Sequence, residues 1–142
     1  MYFIENSRLI ECKNKALNNW SKHNFIFKKF SDLVIQKITE LKKEFKDILI
    51  ISADFDETIS KITKLQFDNL FHFSQYKSFL EKISLNNKKI IRVFSSFESN
   101  PFNEESFDLV ICNFCFHNIN NKNEYLKNIM KILKTNGLLI CN

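Results

Sequence analysis

The stretch Ile48-Leu49-Ile50-Ile51 marks the point where the chain changes from a helical pattern to a strand pattern. It is a short, uninterrupted run of mostly β-branched residues, which is typical of a strand covered on both faces. Before it, Asn24 and Ser31-Asp32 are possible helix caps, so we expect two N-terminal helices with a break near residues 22–25. The second helix has apolar residues at the three-to-four spacing of a buried face: Phe27, Phe30, Leu33, Val34, Ile38 and Leu41.

After this run, strand and helix patterns alternate. The pattern predicts further strands at 69–73, 90–94, 107–113 and 138–141, and helices at 56–64, 76–83 and 123–133. Thr135-Asn136-Gly137 is expected to end the last helix with a C-cap glycine. Alternating elements predict an α/β fold with a Rossmann-like, doubly wound parallel sheet of about five strands behind an N-terminal helical cap. We expect strands 47–53 and 107–113 to be adjacent and central, with any ligand beyond the carboxyl ends of the strands.

Charge and hydropathy exclude several classes of protein. The chain has 142 residues and a net charge of +5, but its lysines are scattered among acids rather than clustered on one stripe, so we expect no nucleic-acid partner. The apolar runs are too short to span a bilayer, and the first residues do not resemble a leader, so we expect no membrane partner and a cytoplasmic location.

The four cysteines, Cys12, Cys112, Cys115 and Cys141, do not have the spacing of a disulfide framework. Cys112-x-x-Cys115 follows an apolar run without a helix-opening signal, and two thiols cannot complete a tetrahedral zinc site. We therefore expect buried, unreactive thiols, with a small redox protein as a distant alternative. Asp54 and Asp56 lack the glycine turn of a calcium loop and are expected to cap a helix, so no metal site is predicted.

Three stretches of the second half resemble class I S-adenosylmethionine-dependent methyltransferases of type 11: PFNEESFDLVICN at 101–113, FHNIN at 116–120 and LKNIMKILKTNGLL at 126–139. Upstream, Phe3-Ile4-Glu5-Asn6, the basic Lys13–Lys15 region and the Phe25–Phe45 segment resemble an N-terminal cap. That cap belongs to the malonyl-acyl-carrier-protein methyltransferase of biotin synthesis and to its relatives that assemble respiratory complex I. The resemblance is specific over 100–140 and poor between 52 and 97.

This resemblance implies S-adenosylmethionine as the cofactor and one domain over 1–142, with a helical cap at 1–46 and a Rossmann-like core at 47–142. It also implies that Asn113, Phe114 and His117 line the cofactor or substrate cleft. No residue is predicted to be catalytic, because His117 has no acid or nucleophile at a meaningful spacing. The usual C-terminal hairpin is absent from the sequence, so strand 138–141 is expected at an exposed edge that self-associates or binds a protein partner.

The residues that should hold the cofactor depart from the family pattern. The acid of the family's first strand aligns with Ile50, and the glycines of the following turn align with Ser52, Asp54 and Asp56. Ser74 or Gln75 replaces the acid that binds the ribose, and Ser96 replaces the acid near the adenine. We therefore expect cofactor binding to be weak or lost. The alternative is a non-catalytic interaction or assembly protein, or a remnant, that keeps the methyltransferase fold.

Overall fold

The structure, a computed structural model, describes residues 6–53, 57–82 and 90–142. The helices are α1 Asn6–Leu17, α2 Trp20–His23, α3 Phe25–Glu40, α4 Glu57–Ile62, α5 Lys77–Lys82 and α6 Lys122–Ile132, with a 3-10 turn at Phe116–Asn118. The strands are β1 Asp47–Ser52, β2 Asn69–Ser74, β3 Ile90–Phe94, β4 Phe107–Asn113 and β5 Leu133–Cys141. No described helix is both long enough and apolar enough to cross a membrane.

The five described strands form one parallel sheet in the order β3-β2-β1-β4-β5. Leu49 at the centre of β1 is paired with Phe71 of β2 and with Val110 of β4. The predicted Rossmann-like fold is therefore confirmed, as is the prediction that the strands at 47–53 and 107–113 are central neighbours.

Each face of the sheet carries its own apolar core, because alternate side chains of a strand point to opposite faces. On one face, α3 and α4 cover Ile48, Ile50, Leu70, Leu109 and Ile111. On the other face, α6 covers residues that include Leu49, Ile51, Val110 and Cys112. All four residues of Ile48–Ile51 are at most 1% exposed, as the continuous apolar run predicts.

The N-terminal helices break where the sequence predicts, between His23 and Phe25. Trp20 of α2 packs against Phe27 of α3, with ring centroids 4.4 Å apart. The buried face of α3 presents Val34 and Ile38 to the core that it shares with α4. The cap is thus packed directly onto the sheet domain.

The predicted C-cap glycine is wrong. Helix α6 ends at Ile132, and Leu133 already has extended dihedrals, φ −74° and ψ 135°. Leu133 pairs with Phe107, and a register shift follows before Leu109 pairs with Leu138. The left-handed residue is Asn136, with φ 65°. Gly137 is required for space instead, because a Cβ there would lie 2.9 Å from the Lys134 carbonyl oxygen.

A charged cluster joins the amino ends of β1 and β4. The Lys134 ammonium lies 2.6 Å from a carboxylate oxygen of Asp47 and 3.2 Å from one of Asp108. Asp108 also accepts the backbone N–H groups of Lys46 and Asp47, and Asp47 accepts from the Asn69 amide. We call Asp47, Asp108 and Lys134 the amino-end cluster.

Candidate functional site

The carboxyl ends of β1 and β2 are joined by neutral hydrogen bonds. Ser52 Oγ and His72 Nε2 are 2.8 Å apart. Ser74 Oγ donates to the Ser52 carbonyl oxygen at 2.9 Å and accepts the Tyr76 N–H at 3.2 Å. Ser52 is 2% exposed, and His72 and Ser74 are 0% exposed. We call Ser52, His72 and Ser74 the carboxyl-end network.

The His72 imidazole is neutral in this environment. Burial, together with the positive charge of Arg92, lowers the pKa of His72 to about 3. Its Nδ1 atom is buried and has no hydrogen-bond partner among the described residues. A buried, uncharged ring at this position is consistent with a packed interior rather than with a proton carrier near neutral pH.

Asn113, a predicted site residue, is committed to contacts within the chain. It is 2% exposed, and its side-chain amide donates to Thr58 Oγ1 of α4. Thr58 in turn shares a hydrogen bond of 2.9 Å with Ser31 of α3. The Asn142 amide donates to Asn113 Oδ1 at 3.3 Å. This chain of polar groups ties β4 to both helices of one face.

Phe114, the second predicted site residue, follows directly and has a left-handed backbone with φ 50°. Its ring lies 4.4 Å from Phe27 and 5.2 Å from Phe30, measured between centroids. Its N–H donates to Asn142 Oδ1 at 2.9 Å. Phe114 therefore packs against α3.

His117, the third predicted site residue, lies on the 3-10 turn and is exposed. Partial burial and the positive charges of Lys13 and Lys122 lower the pKa of His117. The structure thus places Asn113 and Phe114 side by side in packed positions, and His117 on the surface near two lysines.

Helix α1 lies over the carboxyl end of β1. The Lys13 ammonium donates to the Ala53 carbonyl oxygen at 3.2 Å and lies 6.0 Å from the centroid of the Tyr76 ring. Leu9, Ile10 and Leu17 of α1 pack on the core of this face. Three aromatic side chains beside them are fully buried: Tyr76, Phe79 and Phe97.

The positions where the family carries acids are neutral. Ile50 is 0% exposed in the core. The Gln75 amide donates to the Tyr76 hydroxyl oxygen at 3.2 Å and accepts the Phe97 N–H at 3.4 Å. Ser96 Oγ accepts the Glu98 N–H at 3.3 Å. Asp54 and Asp56, with their predicted helix-capping role, lie outside the described residues.

The described polar groups at the carboxyl end of the sheet are bonded to one another rather than left open. The described groups at the ribose and adenine positions carry no charge, and Ser74 and Gln75 already have hydrogen-bond partners within the chain. The backbone of Ala53 is also occupied, since its N–H donates to the Asn113 carbonyl oxygen at 3.0 Å and its own carbonyl accepts from Lys13. A ligand would have to replace these bonds.

A cleft of about 400 Å³ opens between the cap and α4. Its walls include Trp20, Asn24, Lys28 and Glu57, and the Asn24 amide donates to a Glu57 carboxylate oxygen at 2.6 Å. The volume lies in the usual range of small-molecule sites, about 300–1,000 Å³.

Sequence reasoning missed two elements of the site. His72 was not singled out, because in a strand covered on both faces no alternation of polar and apolar residues marks an inward polar group. Lys13 was noted only as part of a basic region, and its contact with Ala53, 40 positions away, has no local signal. The predicted burial of the thiols is confirmed for Cys112 and Cys115 and is wrong for Cys12 and Cys141, which are exposed.

Comparison with known proteins identifies the family. The model of the type 11 family described as "Methyltransferase domain" matches residues 57–141. The chain therefore belongs to the methyltransferase domain family. No curated protein matches the sequence.

Solved methyltransferases have the same fold. An S-adenosylmethionine-dependent methyltransferase of Clostridium acetobutylicum superposes with a TM-score of 0.72 at 21% identity, over 92% of this chain and 56% of that one. An S-adenosylmethionine-dependent methyltransferase candidate of Methanococcus maripaludis gives 0.69 at 17% identity, over 90% and 61%. A complex of the Trm112 methyltransferase activator of Haloferax volcanii with a candidate methyltransferase gives 0.64 at 16%, over 70% and 45%. The chain thus spans about half the length of these structures.

Proposed function

We propose that this chain is a class I methyltransferase-like domain that binds S-adenosylmethionine weakly or not at all. The observation that supports this is the neutral carboxyl end of β2, where the side chains after the strand are hydrogen-bonded within the chain. Ser74 and Gln75 stand where the family has a ribose-binding acid, and both are hydrogen-bonded within the chain. The proposal treats the domain as one unit over 1–142, with a cap at 1–46.

The expected loss of binding free energy follows from the hydrogen bonds that the replaced acids would have made. A hydrogen bond to a charged group contributes about 1.5–3 kcal/mol, so losing the ribose and adenine acids removes about 3–6 kcal/mol. A methyltransferase with a dissociation constant of about 1 μM starts from only about −8 kcal/mol. We therefore expect a dissociation constant above about 1 mM.

Calorimetric titration of the protein with S-adenosylmethionine tests this directly. Absence of saturable heat up to millimolar ligand is the expected result. Micromolar binding by the unmodified chain would overturn the proposal and identify a working cofactor site with unusual ligands.

In this proposal, Asn113, Phe114 and His117 line the cofactor or substrate cleft. Asn113 and Phe114 support the wall from the inside through Thr58 and α3. His117 is the exposed member and the one that a bound molecule would contact. Chemical-shift changes at His117 without changes at Asn113 would support this division when candidate ligands are titrated by NMR.

A second candidate function is non-catalytic interaction through β5. This strand is paired only with β4 among the described strands, and Leu138, Leu139 and Ile140 are all partly exposed. On the neighbouring helix, Ile26, Phe30 and Leu33 share one face and are 38–45% exposed. A strand from a second copy or from a protein partner could cover this surface. Sedimentation should then show association that rises with concentration, and a monodisperse monomer at high concentration would count against it.

We also propose that the chain is nearest the subgroup of the malonyl-acyl-carrier-protein methyltransferase and its complex I assembly relatives. We propose a cytoplasmic location as well. The cap helices α1 to α3 support the subgroup, since they occupy the segment where the resemblance lies. Interferometry against a malonyl-loaded acyl carrier protein tests the subgroup. Binding is expected without methyl transfer, and no binding would remove this assignment.

A further inference from the structure

Two cysteines from distant parts of the sequence are direct neighbours in the sheet. Cys112 of β4 and Cys141 of β5 are register partners on adjacent parallel strands. Register partners point to the same face, and adjacent strands are about 4.7–4.9 Å apart. That spacing lies within the range of about 4.4–6.8 Å between Cα atoms that a disulfide bridges.

The two thiols differ in access. Cys112 is 0% exposed, whereas Cys141 is exposed at the surface of the edge strand. Contact with Cys112 lowers the pKa of Cys141, while hydrogen bonding to Cys115 and Cys141, together with burial, raises the pKa of Cys112. Since the thiolate is the reactive species, Cys141 is the thiol that meets an oxidant first.

The third thiol of this region, Cys115, shares the Tyr125 hydroxyl with Cys112 as a neighbour. Cys115 Sγ and Cys112 Sγ are 3.7 and 3.8 Å from the hydroxyl oxygen of the buried Tyr125. Cys115 follows the end of β4 and has no register partner on β5. Cys112 is therefore the thiol that faces Cys141.

We propose that Cys112 and Cys141 form a reversible disulfide that joins the edge strand β5 to β4. The oxidant is a small-molecule disulfide such as oxidised glutathione. The Cys141 thiolate attacks one sulfur of that disulfide, forms a mixed disulfide and releases one glutathione thiolate. The Cys112 thiolate then attacks Cys141 Sγ, forms the bond between the two cysteines and releases the second glutathione. The protons of the two protein thiols go to the two released thiolates.

This site does not depend on cofactor binding, so its test is independent of the proposed function. The protein is incubated with oxidised glutathione, quenched by alkylation under denaturing conditions, and digested for peptide mass mapping. The expected product is a linked pair of peptides containing Cys112 and Cys141, lighter than the two free peptides by two hydrogen atoms. Dithiothreitol should restore both thiols.

Matched variants sharpen the result. Cys115→Ala removes an equally buried thiol near the same tyrosine and should keep the linked pair. Cys141→Ala should abolish it and leave Cys112 unmodified, because Cys112 is shielded. Cys12, exposed on α1, serves as the internal reference for simple mixed-disulfide formation. A link between Cys112 and Cys115, or mixed disulfides alone on Cys12 and Cys141, would overturn the proposal.

Discussion

The two ends of the sheet are built from opposite chemistry. At the amino ends, the cluster of Asp47, Asp108 and Lys134 is charged and remains 25–35% exposed at its side chains. At the carboxyl ends, Ser52, His72 and Ser74 are neutral and at most 2% exposed. Parallel α/β sheets bind ligands at their carboxyl ends, so the three charges of the amino-end cluster lie at the end where the fold expects no ligand.

This difference teaches that the two ends of one sheet can be stabilised by different interactions. The amino-end cluster needs only partial burial and good geometry, because contact with water reduces the desolvation cost of its charges. The carboxyl-end network is joined by hydrogen bonds between neutral, buried groups. The predictions below test each side of the comparison.

Restoring the family's glycines and acids at the carboxyl end should have the largest effect. We expect a variant with five substitutions to bind S-adenosylmethionine about 10²-fold more tightly than the natural chain. Its two new charge-assisted hydrogen bonds should contribute at least about 3 kcal/mol. Ile50 and Ser74 are left unchanged because both are fully buried. Titration calorimetry measures the gain. The substitutions are Ser52→Gly, Asp54→Gly, Asp56→Gly, Gln75→Glu and Ser96→Asp.

The matched control keeps the three glycines and moves the two acids elsewhere, as Gln66→Glu and Ser99→Asp. Both of these positions are exposed. An equal gain in the control, or no gain in a variant whose circular dichroism is native, would show that the alignment of the acid positions is mistaken.

The neutral His72 should make the protein sensitive to acid. Its pKa is about 3 in the folded chain, whereas an unperturbed histidine has a pKa of 6.5, so the unfolded chain takes up a proton first as the pH falls. The contribution of His72 to the free energy of unfolding is therefore highest above pH 6.5. It falls by about 1.4 kcal/mol for each pH unit between 6.5 and 3. Denaturant titrations over this range measure the slope.

A His72→Phe variant should lose that part of the slope, while His23→Gln on the exposed α2 should retain it. If the buried substitution prevents folding, the ring resonances of His72 can be titrated by NMR in the natural chain. A His72 that becomes protonated near pH 6 would contradict the prediction.

Gly137→Ala in β5 should lower the free energy of unfolding by about 1–3 kcal/mol, the usual cost of forcing extra volume into a packed position. The added Cβ would lie 2.9 Å from a backbone oxygen and 3.2 Å from the Phe107 carbonyl oxygen. Thermal unfolding measures the loss. Ala53→Gly, which removes a Cβ instead of adding one, is the control. An unchanged unfolding temperature for Gly137→Ala would mean that β5 adjusts to the added Cβ.

Removing the ammonium of the amino-end cluster should have the smallest effect. Lys134→Met should cost about 1 kcal/mol, because its partners are partly exposed. The hydrogen bonds from Asn69 and Lys134 lower the pKa of Asp47. The stability that the Asp47–Lys134 pair provides is therefore present above the normal pKa of an aspartate, and it is lost as the pH falls through the lowered pKa of the folded chain. Lys131→Met, on α6 and exposed, is the control. Urea titrations at pH 7 and pH 3 should differ by less in the Lys134 variant than in the control.

Most of the sheet could be predicted from the sequence because its signals are local. Ile90–Phe94 and Phe107–Asn113 coincide with the predicted strands, since short apolar runs bounded by polar residues are typical of strands. Helix α6 was displaced by only one residue, because its apolar spacing is regular.

The remaining features depend on contacts between distant residues. Gly137 has the sequence signature of a helix cap, but pairing of Leu133 with Phe107 draws that segment into β5. The neutral network at Ser52 and His72 joins residues 20 positions apart, and nothing local distinguishes it from packing. The replaced acids at Gln75 and Ser96 could be found only through the resemblance, which gives positions but not their partners.

The strand order has a consequence for the synthesis of the chain. Leu49 pairs with Phe71 on one side and with Val110, 61 positions later, on the other. A ribosome that adds about 5–20 residues per second needs about 3–12 s to cover that distance. For that time one edge of β1, with its apolar run Ile48–Ile51, has no native partner. The nascent chain is therefore most prone to misassembly between the emergence of β2 and that of β4, and a chaperone that binds apolar strands would act in this interval.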